Sequence, residues 1–318
     1  MRTLVTGGAG FVGSHLVEHL LAAGGRVRVL DDLSTGALGN LTAARGPQLE
    51  VVTGSVLEPE AVDAALVGVD FVFHLAATVG VQLVARDPAR AIRTQVRGTE
   101  HVLAAAVRAS AGVLLASSSE VYGKGVKLPF SEDDDLLLGP PTSPRWSYAC
   151  SKAAAEFLVL AERRIPVVVA RLFNTVGPRQ VGDHGMVVPR FIAQAVAGEA
   201  LTVYGSGEQQ RCFADVREVA GCLVRLAETP AAHGGVYNVG SDDEISIRAL
   251  ALRVREQSGG RSPLVHVPYQ DAYGPGFEDL GRRVPDLRLL EATIQTRPRL
   301  GIDAILGELL EAAGRSGA

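Results

Sequence analysis

The chain begins with a short apolar run that breaks into glycines and then resumes with helical periodicity. Gly7, Gly10 and Gly13 form the pattern G-x-x-G-x-x-G between a predicted strand and a predicted helix. Glycine permits positive φ and lets a large group approach the backbone, and a helix N-terminus offers unpaired N–H groups to an anion. The order of strand, glycine turn and helix therefore predicts a site for the pyrophosphate of a dinucleotide.

An acidic residue follows at the spacing that such a site requires. The next predicted strand, 26–30, leads into Asp31, which comes 18 residues after Gly13. A carboxylate about 20 residues beyond the glycines binds the hydroxyls of the adenosine ribose. Because this charge would repel a 2′-phosphate, we predict NAD rather than NADP as the cofactor. The alternative interpretation is a tight turn followed by a solvated aspartate.

Apolar runs and helical patterns continue to alternate along the chain, and the later predicted strands are 49–52, 71–73, 113–115 and 167–170. This alternation predicts an α/β fold, a Rossmann-type doubly wound parallel sheet with helices on both faces. After about Gly177 the pattern loosens into shorter elements separated by proline and glycine. We therefore expect an NAD-binding domain over 1–176 and a smaller C-terminal α/β substrate-binding lobe over 177–318, although elements of the lobe can return to the main sheet.

Composition indicates which partners to expect. The chain has 318 residues, of which 47% are hydrophobic, and a net charge of −4, so we expect no nucleic-acid or membrane partner. The first strand leaves no room for a signal peptide and no apolar run approaches ~20 residues, so we expect a cytoplasmic protein. Cys150, Cys212 and Cys222 lack metal-site spacing, so we expect reduced thiols and no metal. We expect Cys150 and Cys212 to be buried and neutral.

Candidate catalytic residues lie in SSSEVYG (117–123) and SYACSK (147–152). Ser118 follows a predicted strand directly, and ligands of open α/β sheets bind beyond the carboxyl ends of the strands. Tyr148 and Lys152 are four residues apart, so they share one face of a helix. An ammonium beside a phenol lowers the pKa of the phenol, and we therefore predict Tyr148 as the base of a hydride-transfer reaction. The alternative is a packed tyrosine with a solvated lysine.

At this point the sequence resembles the extended short-chain dehydrogenase/reductase family, which contains NAD-dependent sugar-nucleotide epimerases, dehydratases and decarboxylases. The motifs that carry the resemblance are TGGAGFVGSHL, HLAA, SSSEVYG, YACSK, RLFNTVGPRQ, RCFADV and YNVGS, in the family's order. The resemblance implies that Ser118, Tyr148 and Lys152 are the catalytic trio. For the diphosphate or ribose of a UDP-sugar it implies Asn174, Arg211 and Arg283, with Val188 and Tyr204 as further substrate contacts. It implies cofactor contacts at Gly7, Gly10, Phe11, Val12, Gly13, Asp31, Asp32, Ser55, Val56, Leu75, Ala76, Ala77, Tyr148 and Lys152.

Ser119 and Glu120 distinguish the branches of this family. The 4,6-dehydratases carry an Asp-Glu pair here, and simple 4-epimerases generally need no acid at the second position. The combination is most similar to UDP-glucuronate decarboxylases, as are PRWSYACSK (144–152) and YGPGFEDLGRRVPD (273–286), whereas Ser119 argues against the apiose-forming branch. The alternative for Glu120 is a structural acid that caps the local backbone.

The resemblance thus implies oxidation of UDP-glucuronate at C4, loss of CO₂ from the β-keto acid, and formation of UDP-4-keto-xylose, UDP-xylose or both. Within the enzymes, the alternative is a 4-epimerase of UDP-glucuronate or a related sugar nucleotide. From another class, the alternative is a non-catalytic NAD-binding sensor. The family also implies a homodimer that pairs the helices predicted near 89–109 and 148–162.

Three positions depart from the family pattern. Ser55 replaces an acid near the adenine, and Gln95 replaces an asparagine of the long helix. The stretch 79–88 lacks a tyrosine that decarboxylases are expected to carry, so the group that recognises the sugar carboxylate is left open.

Overall fold

The structure is a computed structural model, and it describes residues 1–78, 87–182, 186–273 and 281–316. Most of the stretch without the expected tyrosine therefore lies outside the described residues, as does the middle of the stretch 273–286. In the described part of the chain, no helix is long and apolar enough to cross a lipid bilayer.

The strands and helices alternate through the first half of the chain, as predicted. The strands are β1 (Arg2–Thr6), β2 (Arg26–Asp31), β3 (Leu49–Thr53), β4 (Phe71–His74), β5 (Gly112–Ser118), β6 (Val167–Leu172), β7 (Thr175–Val176), β8 (Leu201–Tyr204), β9 (Gln210–Cys212), β10 (Ala214–Asp215), β11 (Val236–Val239), β12 (Glu244–Ser246), β13 (Leu264–Val267) and β14 (Arg282–Arg283). The helices are α1 (Phe11–Ala22), α2 (Pro59–Leu66), α3 (Pro88–Ala109), α4 (Trp146–Ala161), α5 (Val187–Val196), α6 (Val216–Glu228), α7 (Ile247–Gln257), α8 (Tyr269–Tyr273), α9 (Arg288–Ile294) and α10 (Ile302–Ser316).

The central sheet has seven parallel strands in the order β11-β6-β5-β4-β1-β2-β3. All the predicted strands are confirmed, and so is the Rossmann-type doubly wound fold. The chain leaves β1 toward β2 on one side and reaches β4 on the other, so the order of strands reverses beside β1. Ligands of such sheets bind at this reversal, beyond the carboxyl ends of the strands.

Both faces of the sheet are covered, which explains why its strands are nearly continuous apolar runs. On one face, α1, α6 and α9 pack over strand side chains such as Val5, Phe73 and Leu114. On the other face, α2, α3 and α4 pack over side chains such as Leu4 and Val113. Successive residues of one strand thus enter opposite cores, because side chains alternate across a strand.

The rest of the chain forms small sheets around a separate core. Strand β9 lies between β12, which is antiparallel to it, and β14, which is parallel; β7 pairs with β10, and β8 pairs with β13. Phe191, Leu201 and Leu306 are buried in the core of this lobe. Strand β11 returns to the main sheet beside β6. The division into 1–176 and 177–318 stays a prediction.

Candidate active site

The glycine turn after β1 is packed against neighbouring backbone. Gly7 has φ +72°, and a Cβ added to it would lie 2.8 Å from the Ala76 nitrogen. A Cβ on Gly13 would lie 2.1 Å from the Gly7 carbonyl oxygen. Among the described residues no side chain caps the N-terminus of α1 at Gly10. A ligand can therefore approach the backbone of this turn closely, and the N–H groups at the start of α1 have no side-chain cap. Both features suit the pyrophosphate of a dinucleotide.

Asp31 lies at the end of β2 and accepts hydrogen bonds from its own neighbourhood. Its Oδ2 is 2.9 Å from the Ala9 nitrogen, and its Oδ1 is 2.8 Å from the Leu33 nitrogen. Burial raises the pKa of Asp31, against the opposing effect of these two backbone hydrogen bonds. The carboxylate thus stabilises the glycine turn, and its predicted contact with the ribose uses the remaining lone pairs. Asp32 accepts a hydrogen bond from the Ser34 nitrogen at 3.0 Å.

The other residues predicted to contact the cofactor follow the carboxyl ends of β1, β3 and β4. The Leu75 nitrogen donates to the Thr6 carbonyl at 3.1 Å, and the Ala76 nitrogen donates to the Thr6 hydroxyl at 3.2 Å. Ser55 accepts from a backbone N–H two residues further on, and Val56 packs in the core beside α3. Phe11 and Val12 begin α1, and Ala77 follows Ala76.

The structure brings the predicted catalytic trio together at the ends of β5 and α4. The Ser118 hydroxyl lies close enough to the hydroxyl of Tyr148 to lower the pKa of that phenol, and it accepts from the Glu120 nitrogen at 3.3 Å. The Lys152 ammonium is buried and donates to the Ala116 carbonyl at 2.7 Å. Because β5 ends at Ser118 and α4 begins two residues before Tyr148, these groups are held by a strand and a helix and not by a loop.

The pKa values of the trio differ from the expectation that Lys152 lowers the pKa of Tyr148. Burial raises the pKa of Tyr148 above its ordinary value, the Glu120 charge raises it further, and the Ser118 hydrogen bond opposes them. Burial also lowers the pKa of Lys152 to about 8, against the attraction of Glu156. The expectation is wrong for the chain by itself, because burial and the Glu120 charge outweigh the influences that would lower the pKa of Tyr148. Tyr148 is protonated at neutral pH and can donate a hydrogen bond.

A buried ion pair docks α4 on the sheet. Glu156 lies one turn after Lys152, and its Oε2 is 2.7 Å from Nη2 of Arg171 on β6. The Ser117 hydroxyl donates to Glu156 Oε1 at 2.5 Å. A buried carboxylate requires such partners, because breaking a buried pair leaves an uncompensated charge. Sequence reasoning did not identify this pair, whose members are 15 residues apart.

Glu120 and its arginines form the most strongly charged part of the site. Glu120 Oε1 lies 2.7 Å from Arg283 Nη1, and its Oε2 lies 3.7 Å from Arg145 Nη2. Burial alone would raise the pKa of Glu120, but Arg283, Arg145 and Arg211 outweigh it and hold the pKa below the usual value. Glu120 is therefore ionised. Ser119, beside it, is buried in the 3₁₀ turn.

The arginine cluster, defined here as Arg145, Arg211 and Arg283, comes from three separate segments. Arg211 and Arg283 are partners in the parallel register of β9 and β14, and both are buried. Arg145 directly precedes α4. Three guanidinium groups face one carboxylate, so the cluster carries excess positive charge and suits an anionic ligand. Arg145 was not singled out from the sequence, although it lies in the quoted stretch PRWSYACSK.

Two of the remaining predicted substrate contacts, Val188 and Tyr204, lie in the smaller lobe, and the third, Asn174, lies between β6 and β7. The Asn174 amide donates to the Cys212 carbonyl at 2.9 Å, next to Arg211. Val188 is buried in the core of the lobe. The ring of Tyr204 is covered by the Arg190 guanidinium, whose central carbon is 3.8 Å from the ring centroid.

The cysteines divide into two kinds. Cys212 and Cys222 are buried, and burial raises the pKa of each thiol to about 12. Cys150 is exposed on α4, so the expectation that it is buried is wrong. The reason is that α4 turns this position away from the sheet. Within the described residues, no group of His, Cys, Asp and Glu side chains has the arrangement of a metal site.

Curated relatives resemble this chain along nearly its whole length. It is 38% identical over 313 residues to a UDP-N-acetyl-alpha-D-glucosaminuronate decarboxylase of Bacillus cytotoxicus, which covers 98% of this chain and 97% of that protein. It is 36% identical over 306 residues to UDP-glucuronic acid decarboxylase 4 of Arabidopsis thaliana, which covers 95% of this chain. The match spans 66% of the length of the plant protein.

Solved structures share the whole fold. A dTDP-glucose 4,6-dehydratase from Streptomyces venezuelae, with NAD and TYD bound, is similar with a TM-score of 0.88 and 29% identity, covering 100% of this chain and 98% of that one. A UDP-glucose 4-epimerase from Thermotoga maritima, with UDP-glucose, has a TM-score of 0.89 and 26% identity, covering 100% of both chains.

The family comparison agrees with the glycine turn as a cofactor site. Residues 3–240 match the model described as the NAD dependent epimerase/dehydratase family. The resemblance stated from the motifs is thereby confirmed, and so is NAD as the cofactor, which the turn of Gly7 and Gly13 fits. With its sheet, its motifs and its relatives in agreement, this chain belongs to the NAD dependent epimerase/dehydratase family.

Proposed function

We propose that this enzyme decarboxylates UDP-glucuronate, or its 2-acetamido counterpart, after oxidising the sugar at C4. The observation that carries the proposal is the ionised Glu120, held by Arg283 beside the trio of Ser118, Tyr148 and Lys152. The two curated relatives described above, whose names are those of decarboxylases of UDP-uronic acids, support the same reaction.

The cofactor site is proposed at the glycine turn, with Asp31 on the adenosine ribose. When bound, NAD⁺ supplies the acceptor for the hydride of C4, together with a positive charge. Tyr148 is protonated in the chain alone, so its role as base requires its pKa to fall when the site is filled. The Ser118 hydroxyl lies close to that of Tyr148 and can stabilise the phenolate.

Decarboxylation follows from the oxidised sugar. A C4 ketone makes the C5 carboxylate part of a β-keto acid, and loss of CO₂ leaves the electron pair as an enolate on the former carbonyl. The hydroxyls of Ser118 and Tyr148 can then donate to this oxygen. Hydride return would give the UDP-pentose, and release before that step would give the 4-keto sugar.

Glu120 is proposed to act as a carboxylate and not as a proton donor. Its low pKa, caused by the arginine cluster, keeps it charged at neutral pH. A charged carboxylate can orient a water molecule or a sugar hydroxyl for the protonation of C5.

The arginine cluster is proposed to bind the anionic groups of the substrate. Arg283 was expected on the diphosphate or ribose, but its Nη1 donates to Glu120. Its Nε has no hydrogen-bond partner among the described residues and is buried, so it is free to donate to a substrate anion. Arg211, on β9, and Asn174, between β6 and β7, stay proposed ligands of the diphosphate.

The test is incubation of the purified enzyme and NAD⁺ with UDP-glucuronate, UDP-N-acetylglucosaminuronate and, as a substrate without the carboxylate, UDP-glucose. Mass spectrometry and NMR would identify the products, and CO₂ would be measured directly. We expect CO₂ from at least one of the two uronates. A C4 epimer without CO₂ would establish the epimerase instead, and no turnover of any sugar would favour the non-catalytic sensor.

We also propose a homodimer that pairs α3 and α4 with their copies. Phe157 on α4 is 71% exposed, and Ile92 on α3 is 41% exposed. Cys150 and Phe157, seven residues apart, lie on one exposed face of α4. Light scattering should give a molar mass of about twice the 33.3 kDa of one chain, and Phe157→Glu should lower the measured mass toward that of a monomer. A mass of one chain for the unaltered protein, at any micromolar concentration, would contradict the dimer.

A further inference from the structure

A buried chain of hydrogen bonds starts at the end of β4. His74 is 2% exposed, with Nδ1 2.7 Å from the Thr6 hydroxyl and Nε2 3.2 Å from the Thr99 hydroxyl. The Thr99 hydroxyl donates to the Gln95 carbonyl at 2.5 Å, so toward His74 it accepts. Nε2 therefore carries the proton, and Nδ1 accepts from Thr6. Burial and the charge of Lys152 lower the pKa of His74 to about 3, which keeps the ring neutral.

The side chain of Gln95 extends this chain to the catalytic helix. The Ser151 hydroxyl donates to Gln95 Oε1 at 2.5 Å, and Gln95 Nε2 donates to the Thr78 carbonyl at 3.3 Å. Both Gln95 and Ser151 are 2% exposed. Ser151 lies between Tyr148 and Lys152 on α4, and its hydroxyl is also 3.0 Å from the Tyr148 carbonyl.

The other end of the chain lies at the glycine turn. The Thr6 hydroxyl accepts from the Ala76 nitrogen, and Ala76 is the residue that a Cβ on Gly7 would strike. We call the side chains of Thr6, His74, Thr99, Gln95 and Ser151 the brace. The brace joins the loop proposed to hold the cofactor to the helix that carries the catalytic tyrosine and lysine. Such a network is strong in a low-dielectric interior only while its members are paired.

We propose that Gln95 and Ser151 are positioning residues, which hold Tyr148 and Lys152 in place relative to the loop 74–78 and act on C4 oxidation through them. The inference rests on the proposed function for the reaction that it affects. Neither residue is proposed to touch the reacting atoms. A purely structural role would lower the stability of the protein without separating the rate of oxidation from the binding of substrate.

Two variants and one control test the brace in the NAD-loaded enzyme. Ser151→Ala removes the donor to Gln95. Gln95→Glu keeps the size of the side chain and the acceptor for Ser151, but an ionised carboxylate cannot donate to the Thr78 carbonyl. Val102→Ala, two turns along α3, removes buried apolar volume from the same helix without altering the brace.

The first measurement is single-turnover mixing with UDP-glucuronate, with NADH absorbance as the signal, together with KM and unfolding in urea. We expect the rate of oxidation to fall by about tenfold in Ser151→Ala, because the free energy of one buried hydrogen bond would be added to the activation barrier. The KM should stay within about twofold of the value for the unaltered enzyme. Val102→Ala should lose stability and keep its rate. A control that slowed in proportion to its loss of stability, or brace variants with unaltered rates, would overturn the proposal.

The second measurement needs no substrate. Amide hydrogen exchange over 147–152, and the fluorescence of Trp146, the one tryptophan of the chain, report on the start of α4 directly. We expect faster exchange and altered fluorescence in Ser151→Ala and Gln95→Glu, and neither in Val102→Ala. Absence of these changes would overturn the brace even if the unaltered enzyme failed to release CO₂, a failure that would concern the proposed function alone. If Ser151→Ala does not fold, Gln95→Glu decides both measurements.

Discussion

Two carboxylates, one in each half of the site, show how differently the halves are built. Asp31, at the glycine turn, is held by the backbone nitrogens of Ala9 and Leu33, and burial raises its pKa. Glu120, beside the trio, is held by the side chain of Arg283, 163 residues away, and arginines lower its pKa. The cofactor half is thus organised by nearby backbone, whereas the sugar half is organised by charges from distant segments.

The largest effect is expected where the two halves meet, at Tyr148. Tyr148→Phe keeps the ring and removes the hydroxyl, so neither proton removal at C4 nor donation to the enolate can occur. Losing one positioned acid or base costs on the order of 10²- to 10⁴-fold. NADH formation and CO₂ release, followed in a stopped-flow instrument and by gas analysis, should both fall by this amount. Retention of either signal at the unaltered rate would remove Tyr148 from the proposed mechanism.

Glu120→Gln should separate two signals, the formation of NADH and its later consumption when hydride returns, and so isolates the sugar half. The amide keeps the shape of the side chain and loses the charge that the arginine cluster holds. We expect NADH to form in single-turnover mixing, while the protonation of C5, and with it the consumption of NADH, slows by about 10²-fold. Equal slowing of both signals would place Glu120 in the oxidation step, and no slowing would reduce it to a structural partner of Arg283.

A smaller effect is expected from Asp31→Ala, which tests the cofactor half. Loss of the carboxylate should weaken the binding of NAD by about tenfold and reduce the difference in affinity between NAD and NADP. A hydrogen bond to a charged group contributes ~1.5–3 kcal/mol, and part of that free energy stabilises the glycine turn instead of the cofactor. Titration calorimetry would measure both affinities. Asp31→Asn is the closer control, because it removes the charge and keeps the shape of the side chain, with one oxygen that can still accept from one of the two backbone donors. An unchanged NAD affinity in both variants would leave Asp31 with its structural role only.

The smallest effect, and the sharpest comparison, is the pH dependence of stability. Folding lowers the pKa of Glu120, so the ionised side chain adds to the free energy of unfolding at pH values above 4.5, its pKa in the unfolded chain. This stabilisation is lost as the pH falls through the lower pKa of the folded state. The pKa of Asp31 is raised, so lowering the pH toward the unfolded value of 3.8 favours the folded state. Urea unfolding at pH 7, 5 and 4 should therefore show opposite trends for Glu120→Gln and Asp31→Asn relative to the unaltered protein. Parallel trends would contradict the comparison.

The cofactor half was predictable because its contacts are local in sequence. Gly7, Gly10, Gly13 and Asp31 occur within one β-α-β unit, and the geometry of that unit follows from strand and helix periods alone. The trio was also predictable, since Tyr148 and Lys152 are one helical turn apart and Ser118 ends a buried strand.

The sequence by itself thus determined the sheet, the turn and the common helical face of Tyr148 and Lys152, because each depends on neighbours along the chain. Only the tertiary structure decided that Arg283 pairs with Glu120, that Arg145 joins them, and that Gln95 reaches Ser151. It also decided that Tyr148 is protonated before the site is filled. The physical reason is that hydrogen-bond partners and pKa shifts depend on burial and on charges within a few ångströms, and these come together only when distant segments pack.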